Sequence, residues 1–173
     1  MPLHLQEAAQ SPVPLCIAEH AARGDHAVGL NENKEVTMAN VKLGTKAVGS
    51  IVKIKVNGAS KDFIVVQQGN PNTSTYDSSC NGTWLLMKDI YTTSTFGSNN
   101  SYKDSSIHTY LNGTFYNLID SNIRAAIKQV KIPYQNGTGS GGSLATGSNG
   151  LSTKVFLLSG YEVGWTTSDN GYF

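Results

Sequence analysis

The dipeptide Asn57-Gly58 constrains the fold of this chain more than any other sequence feature. Before it, valine and isoleucine alternate with lysine over residues 52–56, and an apolar run at residues 63–66 follows it. Asn-Gly accepts the positive φ angles of a type I′ turn, whose twist matches that of two antiparallel strands. Alternation places the apolar side chains on one face of the strand. The sequence therefore predicts a β-hairpin with one buried face.

Two further apolar runs predict buried strands. Residues 84–87 (Trp-Leu-Leu-Met) follow a loop rich in Pro, Asn, Ser and Thr, and their continuous apolar character predicts a central strand. Residues 155–158 (Val-Phe-Leu-Leu) predict another buried strand. Residues 135–150 are almost wholly Asn, Gly, Thr and Ser, so we expect a long exposed loop that contributes no packed element.

Helical spacing follows two capping signals in the second half of the chain. Ser105 or Ser106 can cap a first helix, whose middle is weakened by Gly113. Asp120 can cap a second helix, which Pro133 terminates. The apolar residues on the inward sides of these helices are Ile107, Tyr110, Leu111 and Leu118 in the first, and Ile123, Ala126, Ile127 and Val130 in the second.

A third short helix is predicted by Ser159 and Glu162, which have the spacing of a capping box. Together with the hairpin, these signals predict an α+β fold: an antiparallel sheet with two to three short helices.

The outer face of the second helix carries Arg124, Lys128 and Lys131. A basic stripe of this kind can bind an anion, but it is also typical of the solvated face of an amphipathic helix, which we favour.

The character of the chain changes near residue 40. The 173 residues suit one domain. Up to Glu35 there are five acidic and two basic residues and no aromatic residue, so this part has little with which to build a core. We interpret residues 1–40 as an N-terminal arm or linker and residues 41–173 as the α+β domain. Two interpretations of this segment remain: an arm that orders against neighbouring subunits, and a disordered leader.

Overall charge and hydropathy exclude several classes of partner. The formal net charge is +1, and only 14% of the residues are charged, so nothing global directs the chain to nucleic acid or to an anionic membrane. No apolar run reaches the roughly 18 residues of a membrane span. The first ten residues contain no Lys or Arg, so we expect no secretory signal peptide.

No residue pattern predicts catalysis, a metal site or a cofactor, and we predict a protein that is not an enzyme. Gly137, Gly139 and Gly142 have the spacing of a dinucleotide-binding loop, but no helix is predicted after them. Catalysis with Cys80 as nucleophile and His108 as base would need a third group that orients the histidine. The sequence has no signature of such a group. The four histidines show no paired spacing typical of a metal site.

The two cysteines and the glycosylation sequons carry little functional information. Cys16 and Cys80 could form one disulfide, but free buried thiols are commoner in a chain without an export signal. Sequons begin at Asn72, Asn81, Asn99, Asn112 and Asn136. Three of them precede Gly-Thr, where the turn preference of Asn-Gly explains them.

Aromatic residues near the end of the chain are the better candidates for binding. Trp165 and Tyr172 lie among Thr, Ser, Asp and Asn, a mixture that can stack on apolar ligand faces and hydrogen-bond hydroxyl groups. Asn136 lies in the polar loop that could contribute to the same surface. A place in the core or at a subunit interface is the simpler interpretation of these aromatic residues.

Several segments together resemble an uncharacterised domain family that is common in gut Firmicutes and in their phages and prophages. These segments are 48–56 (VGSIVKIKV), 62–69 (DFIVVQQG), 76–86 (YDSSCNGTWLL), 107–112 (IHTYLN), 127–134 (IKQVKIPY) and 156–164 (FLLSGYEVG). The resemblance covers roughly residues 41–173. It implies a C-type-lectin-like fold, and many members resemble phage tail-region proteins.

The chain departs from this family at its end. Fuller members continue past the equivalent of Tyr172-Phe173 into a Trp-Trp-Leu-Arg-Ser-Pro segment and a closing Gly-Val-Arg-Pro strand, and neither occurs here. The chain therefore resembles the N-terminal portion of a C-type-lectin-like domain. Two interpretations remain: the protein is a natural short form of the family, or the sequence is a fragment of a longer member. Open sheet edges invite pairing, so we expect an oligomer or a virion lattice.

The resemblance implies a non-enzymatic phage or prophage virion protein, in the tail or on the surface, with a role in assembly or host recognition. Its partners would be other virion subunits or a second copy of the chain. It would be located in the virion, or in the bacterial cytoplasm before assembly. The alternative is a lectin-like module for a small ligand, a cell-surface glycan or a protein, with Trp165, Tyr172 and Asn136 as binding residues.

Overall fold

The computed structural model describes residues 14–17, 43–97, 101–136, 142–165 and 171–172. Its largest sheet is antiparallel and has four strands in the order β1-β4-β3-β2. The strands are β1 (Pro14–Ile17), β2 (Ile51–Val56), β3 (Ala59–Gln68) and β4 (Thr83–Met87). β1 comes from the segment that the sequence assigns to the arm, and it pairs with β4 from Pro14↔Leu86 to Ile17↔Thr83.

The predicted hairpin is confirmed, with β2 and β3 joined by the Asn57-Gly58 turn. Both turn residues have positive φ, 50° at Asn57 and 75° at Gly58, as a type I′ turn requires. Residues of β2 are alternately exposed and buried, so its inner face joins the core while its lysines face outward. The predicted central strand is also confirmed, since β4 lies between β1 and β3.

The first helix begins as predicted and then widens. The Ser105 hydroxyl accepts a hydrogen bond from the backbone N–H of His108 and caps α1 (Ser106–Tyr110). α1 leads directly into a π-helical turn (Leu111–Phe115) that contains Gly113, and then into α2 (Tyr116–Leu118). The backbone thus stays helical from residue 106 to 118, with one wide turn in its middle.

The second helix also has its predicted N-cap, but its predicted end is wrong. The Asp120 carboxylate caps α3 (Ser121–Ala126), and Ile127 is already extended. The helical pattern continues to Val130, but in the structure Val130–Ile132 form strand β5. This strand pairs with β8 (Leu151–Thr153). The β-branched residues of β5 fit a strand better than a helix, and pairing with a distant segment decides the outcome.

The polar segment 135–150 contributes more structure than the sequence predicts. β6 (Tyr134–Asn136) and β7 (Ser143–Ala145) form a two-stranded antiparallel sheet. Leu144 and Ala145 pack against the core, and the Gly147 N–H donates to the carbonyl of Thr75. The prediction of an exposed loop without a packed element is therefore wrong for the described residues 142–150.

The predicted strand at residues 155–158 is buried but is not a strand. Val155, Phe156 and Leu157 are at most 3% exposed, yet none of them belongs to a strand of the described sheets. Both backbone groups of Val155 and the N–H of Leu157 bond side chains instead. The Tyr102 hydroxyl accepts from the Leu157 N–H at 2.9 Å, and Asn112 bonds both backbone groups of Val155.

Asn112 is the centre of this arrangement. Its Oδ1 accepts from the Lys154 and Val155 N–H groups and from the Thr153 hydroxyl, at 2.9, 3.2 and 3.1 Å. Its Nδ2 donates to the carbonyls of His108 and Val155 at 3.1 and 2.9 Å. One amide therefore ties the π-helical turn to the segment that follows β8. Because its nitrogen already makes two bonds, the sequon at Asn112 has a structural role here.

The aromatic core joins the sheet to the second half of the chain. The Trp84 ring makes edge contacts with Tyr76 and Phe156, with ring centroids 5.6 and 5.2 Å apart. Its indole N–H donates to the Cys80 carbonyl at 3.0 Å.

Among the described residues, no helix is long and apolar enough to cross a membrane.

We expect Asn112→Ala to lower the free energy of unfolding by about 2–4 kcal/mol, because it leaves several buried backbone groups without partners. Urea unfolding followed by circular dichroism measures this. Asn122→Ala is the matched control, since Asn122 is exposed on α3, and we expect a change below about 0.5 kcal/mol there. Equal effects of the two substitutions would contradict the role assigned to Asn112.

Candidate functional site

The candidate site is built on residues 159–165, which we call the C-terminal turn. Ser159 and Glu162 form the predicted capping box. The Ser159 N–H donates to Glu162 Oε2 at 2.7 Å, and the Glu162 N–H donates to Ser159 Oγ at 3.3 Å. The helix predicted from this spacing is only a single turn, closed by a bond from the Val163 N–H to the Ser159 carbonyl.

Gly164 ends the turn and sets the position of Trp165. It has φ of 76°, a left-handed conformation in which glycine is favoured. The Trp165 N–H donates to the Gly160 carbonyl and the Gly164 N–H to the Tyr161 carbonyl, which is the bond pattern of a Schellman motif. The backbone therefore stops after one turn and projects Trp165 outward.

Trp165 is the most exposed large apolar residue of the described chain. Its side chain is 87% exposed, and Val163 on the same turn is 47% exposed. The Trp165 side chain lies over Gly160, where an added β-carbon would come within 3.9 Å of Trp165 Cβ and Cε3. An exposed tryptophan on a capped turn is a preorganised surface for stacking on a ligand.

Tyr172 and Asn136 are placed differently from Trp165. Tyr172 is only 5% exposed, its ring stacks on Tyr161 with centroids 4.6 Å apart, and its edge contacts Tyr76. It therefore supports the C-terminal turn from the core side. Asn136 is exposed at the end of β6, opposite Ser143. Of the three predicted binding residues, only Trp165 presents an aromatic surface to solvent.

A partly buried carboxylate anchors the C-terminal turn to the body of the domain. Glu162 Oε1 accepts from the Tyr76 hydroxyl at 2.5 Å, and Oε2 accepts from the Ser159 hydroxyl at 2.8 Å. Burial raises the pKa of Glu162 above its ordinary value, against the lowering effect of these hydrogen bonds. Burial and the neighbouring Glu162 both raise the pKa of Tyr76, so its hydroxyl stays protonated and donates.

Sequence reasoning found the Ser159–Glu162 half of this network and missed Tyr76. Tyr76 and Glu162 are 86 residues apart, and no periodic pattern relates them. The signal that could have drawn attention to Glu162 is its place in an otherwise apolar and aromatic neighbourhood.

The predicted basic stripe does not lie on one helix. Arg124 is on α3, but Lys128 and Lys131 follow the end of the helix. The Lys128 ammonium donates to the Asn81 carbonyl at 2.9 Å, and the Lys131 ammonium donates to the Ser148 carbonyl at 2.8 Å. The two lysines therefore form hydrogen bonds to the backbone of neighbouring loops.

Cys80 and His108 lie in different surroundings. The Cys80 thiol is buried and donates to the Lys131 carbonyl, and burial raises its pKa to about 11. The His108 Nδ1 faces the Lys103 carbonyl at 3.1 Å, and burial lowers the pKa of the ring.

No cluster of three or more His, Cys, Asp or Glu side chains suited to a metal ion occurs in the described part of the chain. Gly137 and Gly139 lie outside the described residues.

Comparison with known proteins gives one family. A family model described as a domain of unknown function (DUF6273) matches residues 81–172, which is more than half of the chain. No curated protein and no solved structure matches the chain.

We expect Glu162→Gln to change how stability depends on pH. Because the folded pKa of Glu162 lies above its ordinary value of 4.5, the folded state holds this proton more tightly than the unfolded state does. The contribution of Glu162 to the free energy of unfolding is therefore fully present below about pH 4.5 and is lost as the pH rises through the folded pKa.

Urea unfolding of both proteins at several values between pH 4.5 and 7.5 tests this. The free energy of unfolding of the wild type should fall relative to that of Glu162→Gln as the pH rises. Tyr76→Phe removes one donor to the carboxylate but keeps the ring, so its decline should be steeper than that of the wild type. A constant difference between wild type and Glu162→Gln across this range would contradict the assignment.

Proposed function

We propose that this chain, which belongs to the DUF6273 family, a domain of unknown function, is a non-enzymatic virion protein of a phage or prophage. Its role is assembly or host recognition, in the tail or on the virion surface. The resemblance of residues 41–173 to domains of gut Firmicutes and their phages supports this proposal, and the antiparallel sheet with short helices is compatible with a C-type-lectin-like relationship.

The pairing of β1 with β4 is the observation that carries the assembly role. β1 belongs to the N-terminal arm and adds to the β4 edge through a four-residue antiparallel register. Strand addition relies on main-chain hydrogen bonds, so the same edge can accept the same strand from a second copy. Residues 18–42 separate β1 from the next described element, and a chain of that length reaches up to about 90 Å at full extension.

The opposite edge of the sheet is less suited to assembly. The Asp120 N–H donates to the Lys55 carbonyl and the Asn57 N–H donates to the Leu118 carbonyl, so part of the β2 edge is covered. Lys53 and Lys55 also point outward from β2, and lysines on an edge strand disfavour pairing with another chain. The β4 side is therefore the edge at which the arm links subunits.

We expect the full chain to form a defined oligomer in solution, and a variant that lacks residues 1–37 to be monomeric. Light scattering coupled to size-exclusion chromatography measures both masses. A variant that lacks only residues 1–13 is the matched control, because it keeps β1 and should keep the oligomer. Monomers in all three cases would contradict the assembly role.

Exposure of Trp165 favours a second candidate function, the binding of a cell-surface glycan. An aromatic ring that is 87% exposed on a capped turn can stack on the apolar face of a sugar. In this function the C-terminal turn would be the ligand-binding surface, and the domain would act in host recognition without catalysis.

A glycan array tests the second candidate. We expect Trp165→Ala to reduce binding of any array hit at least tenfold, since the stacking surface is removed. Ile90→Ala is the control, because Ile90 is also exposed, at 50%, but lies on another segment. An array without hits, or equal binding by the two variants, would exclude this function for Trp165.

A further inference from the structure

Two cations converge on one tyrosine at the junction of α2, α3 and the segment after β8. The Lys154 ammonium lies 4.5 Å from the centroid of the Tyr116 ring, and the Arg124 guanidinium carbon lies 6.0 Å from it. Lys154 also donates to the Tyr116 hydroxyl at 3.1 Å, while that hydroxyl donates to the Arg124 carbonyl at 3.3 Å. All three residues are half-buried.

Neither cation is paired with a carboxylate in the part of the chain that the structure describes. Among the described residues, the ion pair present joins Lys53 to Asp62 on the β2–β3 hairpin. The carboxyl group of Asp120, one turn before Arg124, is used to cap the Asn122 N–H. Two half-buried positive charges beside one ring repel each other, the cation–π contacts offset part of this repulsion, and a bound anion would relieve the rest.

The guanidinium of Arg124 has an unsatisfied edge. Its Nη1 donates to Asn117 Oδ1 at 3.0 Å, but its Nε is buried and has no hydrogen-bond partner among the residues that the structure describes. A buried donor on a charged group is costly without an acceptor, so such a group calls for a bound ion or water. Arginine binds two oxygens of one carboxylate or phosphate through parallel N–H groups.

Lys154 is held in place independently of any ligand. Its backbone N–H donates to Asn112 Oδ1 at 2.9 Å, inside the network that fixes residues 153–155. Together with the bond from its ammonium to the Tyr116 hydroxyl, this holds the lysine beside the ring before an anion arrives, which reduces the entropy lost on binding.

We propose that Arg124, Lys154 and Tyr116 form a binding site for a small oxyanion group, a carboxylate or a phosphate. The guanidinium of Arg124 and the Lys154 ammonium donate to the anion, and the Tyr116 ring lies in contact with both cations. This site is separate from the C-terminal turn and does not depend on the function proposed for Trp165.

Titration of the ¹⁵N-labelled chain tests the site by NMR. Sodium phosphate and sodium glucuronate serve as probes at constant ionic strength, with sodium chloride as the reference. We expect saturable shifts of the Arg124 Nε–H and the Lys154 amide with at least one probe. Saturation by phosphate alone identifies a phosphate group as the ligand, and saturation by glucuronate alone identifies a sugar carboxylate.

Variants separate the site from general charge effects. We expect Arg124→Gln and Lys154→Gln each to weaken binding at least tenfold, and Arg124→Lys to weaken it because the charge remains but the paired donors are lost. Lys128→Gln is the matched control and should bind as the wild type does, since Lys128 bonds the Asn81 carbonyl. Shifts that do not saturate with either probe, or equal weakening by Lys128→Gln, would overturn the proposal. Should Arg124→Gln fail to fold, Lys154→Gln and the wild-type Arg124 resonance still decide it.

Discussion

The fold depends on satisfying the backbone of an apolar segment that is buried outside any described sheet. Val155 and Leu157 need hydrogen-bond partners because a buried peptide group without one costs more than most side-chain contacts contribute. Asn112 and Tyr102 supply those partners. The same bonds position Lys154 on one side and lead the chain into the C-terminal turn on the other. Both candidate binding surfaces therefore depend on side chains from residues 102–112.

The structural unit is larger than the segment that the family model matches. Residues 81–172 include β4, but β2 and β3, which complete the sheet beside it, lie outside that range. Trp84 shows the dependence directly, because its ring contacts Tyr76 before the boundary and Phe156 after it. Removing the preceding residues would expose one face of that indole and would leave Glu162 without its tyrosine donor. The core of the described residues is therefore built from segments on both sides of residue 81.

Local signals predicted the local features of this fold, and pairing over long distances decided the rest. The Asn57-Gly58 turn and the caps at Ser105 and Asp120 act within a few residues, so sequence was sufficient to find them. The strand at β5 was predicted as helix because its apolar spacing suits both structures, and only its pairing with β8 distinguishes them. The candidate site follows the same division. The capping box was predicted, whereas the contact with Tyr76 and the burial of Tyr172 arise from tertiary packing.

The π-helical turn at Leu111–Phe115 has a consequence for how this chain can change in length. A π-helical turn holds one residue more than the α-helical turn in its place. Deleting Gly113 would restore regular α-helical geometry and leave local helix formation undisturbed, or even favoured. Because the extra residue is accommodated within the turn, the helical residues on either side would keep nearly the same relative orientation, whereas a deletion elsewhere in the helix would rotate them by about 100° around its axis. The π-helical turn is therefore the point of this helix at which the loss of one residue disturbs the flanking turns least, and its cost falls on the bonds of the neighbouring Asn112.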